Sequence, residues 1–195
     1  MRPILPLALI AALIVIGCGG GKQTGIVPKA TEETLSNVPG WYITPPSDPN
    51  FLFATGTATS RDMQLARDKA GDAARMDIAK NIETKFDGLS KRFQEEVGTG
   101  TDAQYLDMFT QATKAVVSQV LSGVGIEETE IKNEAGLFRV YVLAKMSVGA
   151  SNEALLNKLK AQEQMFTRFR AGEVFQELEK ETEKFEQFKE KQGMP

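Results

Sequence analysis

A chain of 195 residues, 42% hydrophobic and 25% charged, has ordinary globular usage, so one folded domain with tails is expected rather than a disordered chain or a membrane bundle. A net charge of −3 gives no electrostatic reason to expect nucleic acid as a partner. Histidine is absent and Cys18 is the only cysteine, which excludes Ser-His and Cys-His nucleophile pairs, imidazole metal sites and internal disulfides; no enzyme, cofactor or metal centre is expected.

Residues 3 to 17 form an uncharged apolar run preceded by Arg2, the shape of a signal peptide. As a helix the run spans about 22 Å, short of the roughly 30 Å hydrocarbon core, so a permanent transmembrane anchor is the weaker reading. The run ends in Val15-Ile16-Gly17-Cys18 and Gly19-Gly20-Gly21 follows. This resembles the lipobox of bacterial lipoproteins, which implies cleavage between Gly17 and Cys18 and acylation of the Cys18 thiol, with the membrane as a partner through the lipid. Two or three acyl chains, at roughly 0.8 kcal/mol per buried CH₂, hold a protein to a bilayer essentially permanently. Gly19 after the cysteine, by resemblance to the enterobacterial sorting rule, implies the outer membrane. Gly19 to Thr24 lacks the spacing of a phosphate-binding loop, since Gln23 rather than Ser or Thr follows Lys22. From Gly19 to about Pro39 the chain reads as a flexible tether.

An irregular, proline-rich entry follows, with Trp41 and Tyr42 at its start. Trp41, the only tryptophan, is expected to pack on the domain; a ligand contact through Trp41 and Tyr42 is the sharper alternative. Phe51 to Thr59 reads as a strand in which Gly56 marks either a bulge or a close approach by the next helix. Ser60 is the expected N-cap of an amphipathic helix from Arg61 to about Val97, with alanines on its first core face and phenylalanines on its second half. Gly98-Thr99-Gly100 reads as a turn, and Thr101 to Gln104 as a capping box opening a second helix to about Ser122.

Ile126 to Lys132 reads as a polar strand, Asn133 to Gly136 as a turn, and Leu137 to Met146 as a strand with Phe138, Val140, Val142, Ala144 and Met146 on one face. Glu127, Glu128 and Glu130 lack the oxygen-rich loop pattern of a cation site and are expected on a solvated face. Ser151 is the expected cap of a long final helix toward Gln192, weakened at Gly172, in which Val174, Leu178, Phe185 and Phe188 form a stripe like a short coiled-coil seam. Opposite charges spaced by three flank it. That stripe folds back on the domain or serves as an interaction surface for self-association or an envelope protein.

The fold class expected is α+β: a small, mainly antiparallel sheet built by a strand, two helices and a β-hairpin, packed on helices, with a long C-terminal helix. The organisation is a leader at 1–17, a tether at 18–38, an α+β domain at 39–149 and a C-terminal amphipathic helix at 150–195. Cys18, the tether, Pro39-Gly40-Trp41, Phe53-Ala54-Thr55-Gly56-Thr57-Ala58 and the helix with Ala66, Ala70, Ala73, Ala74 and Arg75 together resemble small outer-membrane lipoproteins of the Lpp-twenty type, a family similar to the N-terminal domain of flagellar assembly protein T. The resemblance covers about residues 39 to 147; it implies a small sheet packed on helices, surface or periplasmic placement and association with envelope machinery, in a family with no agreed biochemical activity. The function expected is a membrane-anchored envelope lipoprotein with a structural or interaction role; the alternative is a periplasmic binder of a small ligand near Trp41 and Tyr42.

Overall fold

The computed structural model describes residues 37–98 and 103–193. The leader, Gly17, Cys18 and most of the tether lie outside the described residues, as do Thr101 and Asp102 of the expected capping box and Thr99 and Gly100 of the turn before it. The elements run α1 (Gly40–Ile43), β1 (Phe51–Ser60), α2 (Met63–Val97), α3 (Ala103–Gly123), β2 (Gly125–Glu134), β3 (Leu137–Ser147), α4 (Val148–Lys160), α5 (Glu163–Phe169) and α6 (Glu173–Gln192). The class is α+β, with a three-stranded antiparallel sheet in the order β1-β3-β2 and a long helix at the C-terminus.

The central strand is the one with the strongest alternation. Val140, Val142, Ala144 and Met146 of β3 face α2 and are buried in the main core, with Phe138 packed against it. The opposite face of β3 is not simply solvated: Tyr141 and Leu143 are buried as well, and the Tyr42 ring of α1 lies 5.0 Å from that of Tyr141. A strand with neighbours on both edges and cover on both faces needs apolar residues at nearly every position, as β3 has.

Small residues bring α2 onto the sheet. Gly56 pairs with Val142 in regular register, so β1 carries no bulge there. A Cβ at Gly56 would lie 2.1 Å from the Ala70 carbonyl oxygen and 2.7 Å from the Ala74 amide nitrogen, so the glycine is there for a close approach between backbones. Ala66, Ala70 and Ala74 are fully buried along the same contact. With 35 residues α2 is about 52 Å long, whereas the ten-residue β1 spans about 33 Å. The overhang carries Ile82, Phe86, Leu89 and Phe93, which are buried among the helices instead of on the sheet.

Two caps sit elsewhere than the sequence predicts. Asp62, not Ser60, caps α2, its carboxylate accepting from the Leu65 amide at 2.8 Å; Ser60 ends β1 and accepts from the Asp62 amide. Ser147, not Ser151, caps α4 by accepting from the Ala150 amide. Ser151 is buried within that helix and donates to the Val148 carbonyl at 2.7 Å.

The expected single C-terminal helix is three helices. Leu159 and Met165, both fully buried, are six residues apart, about two thirds of a turn out of phase, so a straight helix would expose one of them. A break after Lys160 lets both reach the core. At the second break Gly172 is the N-cap of α6 and offers no side chain; Glu96 from the end of α2 supplies the missing acceptor, bonding the Val174 amide at 2.8 Å. Residues from Val38 onward form one compact unit, and Leu155, Leu159, Val174, Phe175 and Leu178 belong to the same core cluster as the sheet.

The β2–β3 hairpin is tighter than expected, with strands extending to Glu134 and from Leu137. Its central residues Ala135 and Gly136 both have positive φ, 50° and 82°, as a type I′ turn requires. Alanine is disfavoured in that region and asparagine is not. Ala135→Asn is therefore expected to stabilise the fold by about 1 kcal/mol, read as a rise of roughly 2–4 °C in the melting temperature by circular dichroism. An unchanged or lowered melting temperature contradicts the turn assignment.

Candidate interaction site on the outer strand

The aromatic residues of the entry pack inward on their own sheet. Trp41 and Tyr42 are half-buried, with ring centres 6.4 Å apart, and Tyr42 continues onto Tyr141 edge to face. Burial holds the Tyr141 phenol above its ordinary pKa, the Arg139 guanidinium beside it working in the other direction. Arg139 is held in turn by Glu134, its Nε donating at 2.6 Å. The cluster packs on the face of β3 that carries Tyr141.

The C-terminal stripe is also engaged within the chain. Val174 and Leu178 are fully buried, as is Phe175, which the seam reading misses. Phe185 is half-buried with its ring lying over Gly149, where an added Cβ would meet the ring at 2.1 Å. Phe188 is half-buried and stands 5.9 Å, edge to face, from Phe51 of β1. The flanking charges bind neighbouring helices: Glu177 takes Arg92 in a two-pronged pair, Glu181 takes Lys85 at 3.1 Å, and Lys189 reaches Glu153 at 3.5 Å. Only Glu186–Lys189 makes the expected intrahelical pair among the described residues. The stripe folds back on the domain, so Val174, Leu178, Phe185 and Phe188 do not present an open face.

What remains uncovered is β2. In the order β1-β3-β2 it has a partner on one side only, and α2 lies over β1 and β3. The register places Ile126, Thr129, Ile131 and Asn133 on the helix side, opposite Ala144, Val142, Val140 and Phe138, yet Ile126 and Ile131 remain 38% and 41% exposed. A cleft of about 290 Å³ lies between Ile126 and α2, lined by Ile126, Thr129 and Val142 on the sheet and by Gln64, Arg67, Asp68, Gly71 and Arg75 on the helix. Isoleucine on an open strand is selected for sheet pairing and packing, and here the packing partner is missing.

Carboxylates line the other face of β2. Glu127, at the register shift between Ile126 and Glu128, pairs with Lys145 at 3.3 Å; Glu130 pairs with Lys132. Glu128 is solvent-exposed. Among the described residues no cluster of three acidic or thiol ligands is placed to hold a metal ion. Sequence reasoning read β2 as a polar strand and passed over its two isoleucines; their spacing of five masks the alternation because one residue is bulged between them. Compared with protein-family models, curated proteins and solved structures, the chain finds no match.

Proposed function

We propose that the protein is a bacterial envelope lipoprotein, attached to the outer membrane through acyl chains on Cys18, whose folded part has a structural or interaction role exercised at β2. The anchor rests on the order of the sequence: an apolar leader too short to span, Gly17-Cys18 at its end and a glycine-rich tether behind it. The resemblance of the domain to small outer-membrane lipoproteins of the Lpp-twenty type points the same way. The interaction role is carried by one observation, an edge strand with two exposed isoleucines on the side where the rest of the sheet is covered.

Labelling cells with an alkyne palmitate and recovering the protein tests the anchor. The native chain is expected to take up label and fractionate with the envelope, and Cys18→Ser to lose the label completely. Label that persists in Cys18→Ser, or a native chain whose mass shows an intact leader and a free thiol, rejects the proposal.

A further inference from the structure

The uncovered strand has a sequence that matches itself. We propose that β2 pairs antiparallel, edge to edge, with β2 of a second copy, joining two three-stranded sheets into one of six strands centred on Ile131.

A two-fold axis that joins two edge strands antiparallel runs normal to the sheet, so both helical layers stay on one face and directly opposed residues share a face. Centring the pair on Ile131 sets Ile131 against its own copy on the helix side, with Thr129 opposite Asn133 on either side of it. On the other face the same register sets Glu130 opposite Lys132 twice. Neighbouring registers place like charges at or next to the centre of the ladder. Centring on Thr129 opposes Glu128 and Glu130 twice, centring on Glu130 opposes that residue to itself at the centre while setting Glu128 against Lys132 twice, and centring on Lys132 opposes Lys132 to itself and Glu130 to Glu134 twice. Like charges directly across a ladder destabilise it, and opposite charges or β-branched pairs favour it by roughly 0.2–1 kcal/mol each. In the favoured register the like-charged opposition is Glu128 with Glu134, which occurs twice but only at the two ends of the paired stretch, where Glu134 is held by Arg139 at 2.6 Å.

The length of regular strand agrees with this. The register shift between Ile126 and Glu128 ends regular pairing toward the start of β2, leaving Glu128 to Glu134 as an uninterrupted stretch whose midpoint is Ile131. An exposed strand edge carries unpaired backbone donors and acceptors, and a second identical edge satisfies those of the paired stretch from Glu128 to Glu134. Pairing one strand with its copy buries modest area, so the contact rests on the anchoring proposed above: lipid-held copies share one surface, which raises their effective concentration without any new contact.

Cys18 is the only cysteine, so in the acylated Ile131→Cys protein the introduced thiol is the single free one. Opposed residues of an antiparallel pair bring their Cα atoms to about 4.5–5.5 Å, within disulfide range. Mild oxidation of native envelopes is expected to convert Ile131→Cys to a disulfide-linked dimer of twice the chain mass, and Met76→Cys, exposed on α2, to give none. In the Ile131→Cys background Glu130→Lys is expected to abolish the dimer, and the swap Glu130→Lys with Lys132→Glu to restore it. Equal yields at positions 131 and 76, a dimer indifferent to Glu130→Lys, or a crosslink from position 131 to a different protein each overturn self-pairing. The palmitate label on the same sample reports the anchor separately, so a labelled, uncrosslinked protein refutes the pairing alone.

Discussion

Gly56→Ala is expected to destabilise the protein by about 3 kcal/mol or more, beyond the usual cost of one extra methyl in a core. The added carbon would sit 2.1 Å from the Ala70 carbonyl oxygen and 2.7 Å from the Ala74 amide nitrogen, and both are helix backbone that cannot rotate aside. Relief requires α2 to lift off the sheet, opening the contacts of Ala66, Ala70 and Ala74 together. The control is the same change on the helix itself, away from the sheet. Gly88 is exposed within α2 and has nothing within 4 Å of an added Cβ, so Gly88→Ala is expected to stabilise by about 0.5–1 kcal/mol through helix propensity. Urea midpoints at constant slope read both changes. A Gly56→Ala midpoint no lower than that of the unsubstituted protein would show that helix and sheet do not meet as described.

The contrast between these glycines shows what was legible in the sequence. The alanines spaced by four after a strand containing glycine announce a close helix–sheet contact, because both signals are local. The alternation of Phe138, Val140, Val142, Ala144 and Met146 likewise locates β3 and its core face. Features that depend on a distant partner were hidden. Glu96 has no sequence relation to Gly172, yet it caps the helix that Gly172 begins. The break after Lys160 carries neither glycine nor proline and arises only because Leu159 and Met165 must reach one core. Ala135 occupies a turn position for which asparagine or glycine is the usual signal.

The candidate site divides along the same line. The anchor proposed at Cys18 is legible because it rests on a linear motif. The exposed edge is not, since nothing within Gly125–Glu134 states that β3 lies on one side of it and no strand on the other; the order β1-β3-β2 is set by β1, some seventy positions earlier. The C-terminal stripe leaves two readings open for a related reason. Apolar spacing is the same whether a helix meets a partner or its own domain, and the ion pairs of Glu177 with Arg92 and Glu181 with Lys85 decide between them only once the fold is known.

Phe93→Ala is expected to cost about 3–5 kcal/mol and to do so everywhere at once. The Phe93 ring is fully buried where four helices meet: it stacks on Phe109 of α3 at 4.7 Å and meets Phe169 of α5 at 5.2 Å and Phe175 of α6 at 6.0 Å, both edge to face. Truncation removes three aromatic contacts and leaves a cavity that three separate helices would have to close, so little relaxation is available. Against a total stability of about 5–15 kcal/mol the loss is a large fraction. Because Phe93 stands on the same continuous helix that Ala70 and Ala74 press onto the sheet, the loss travels along α2 to β3 rather than staying at the C-terminus. Amide hydrogen exchange is the informative measurement. The slowest amides of β3 and of α6 should lose protection by equal factors, as expected of one cooperative unit. If β3 keeps its protection while α6 alone exchanges faster, then α6 is an appended helix rather than part of the core, and the burial of Val174, Phe175 and Leu178 would not carry the structural weight assigned to it here.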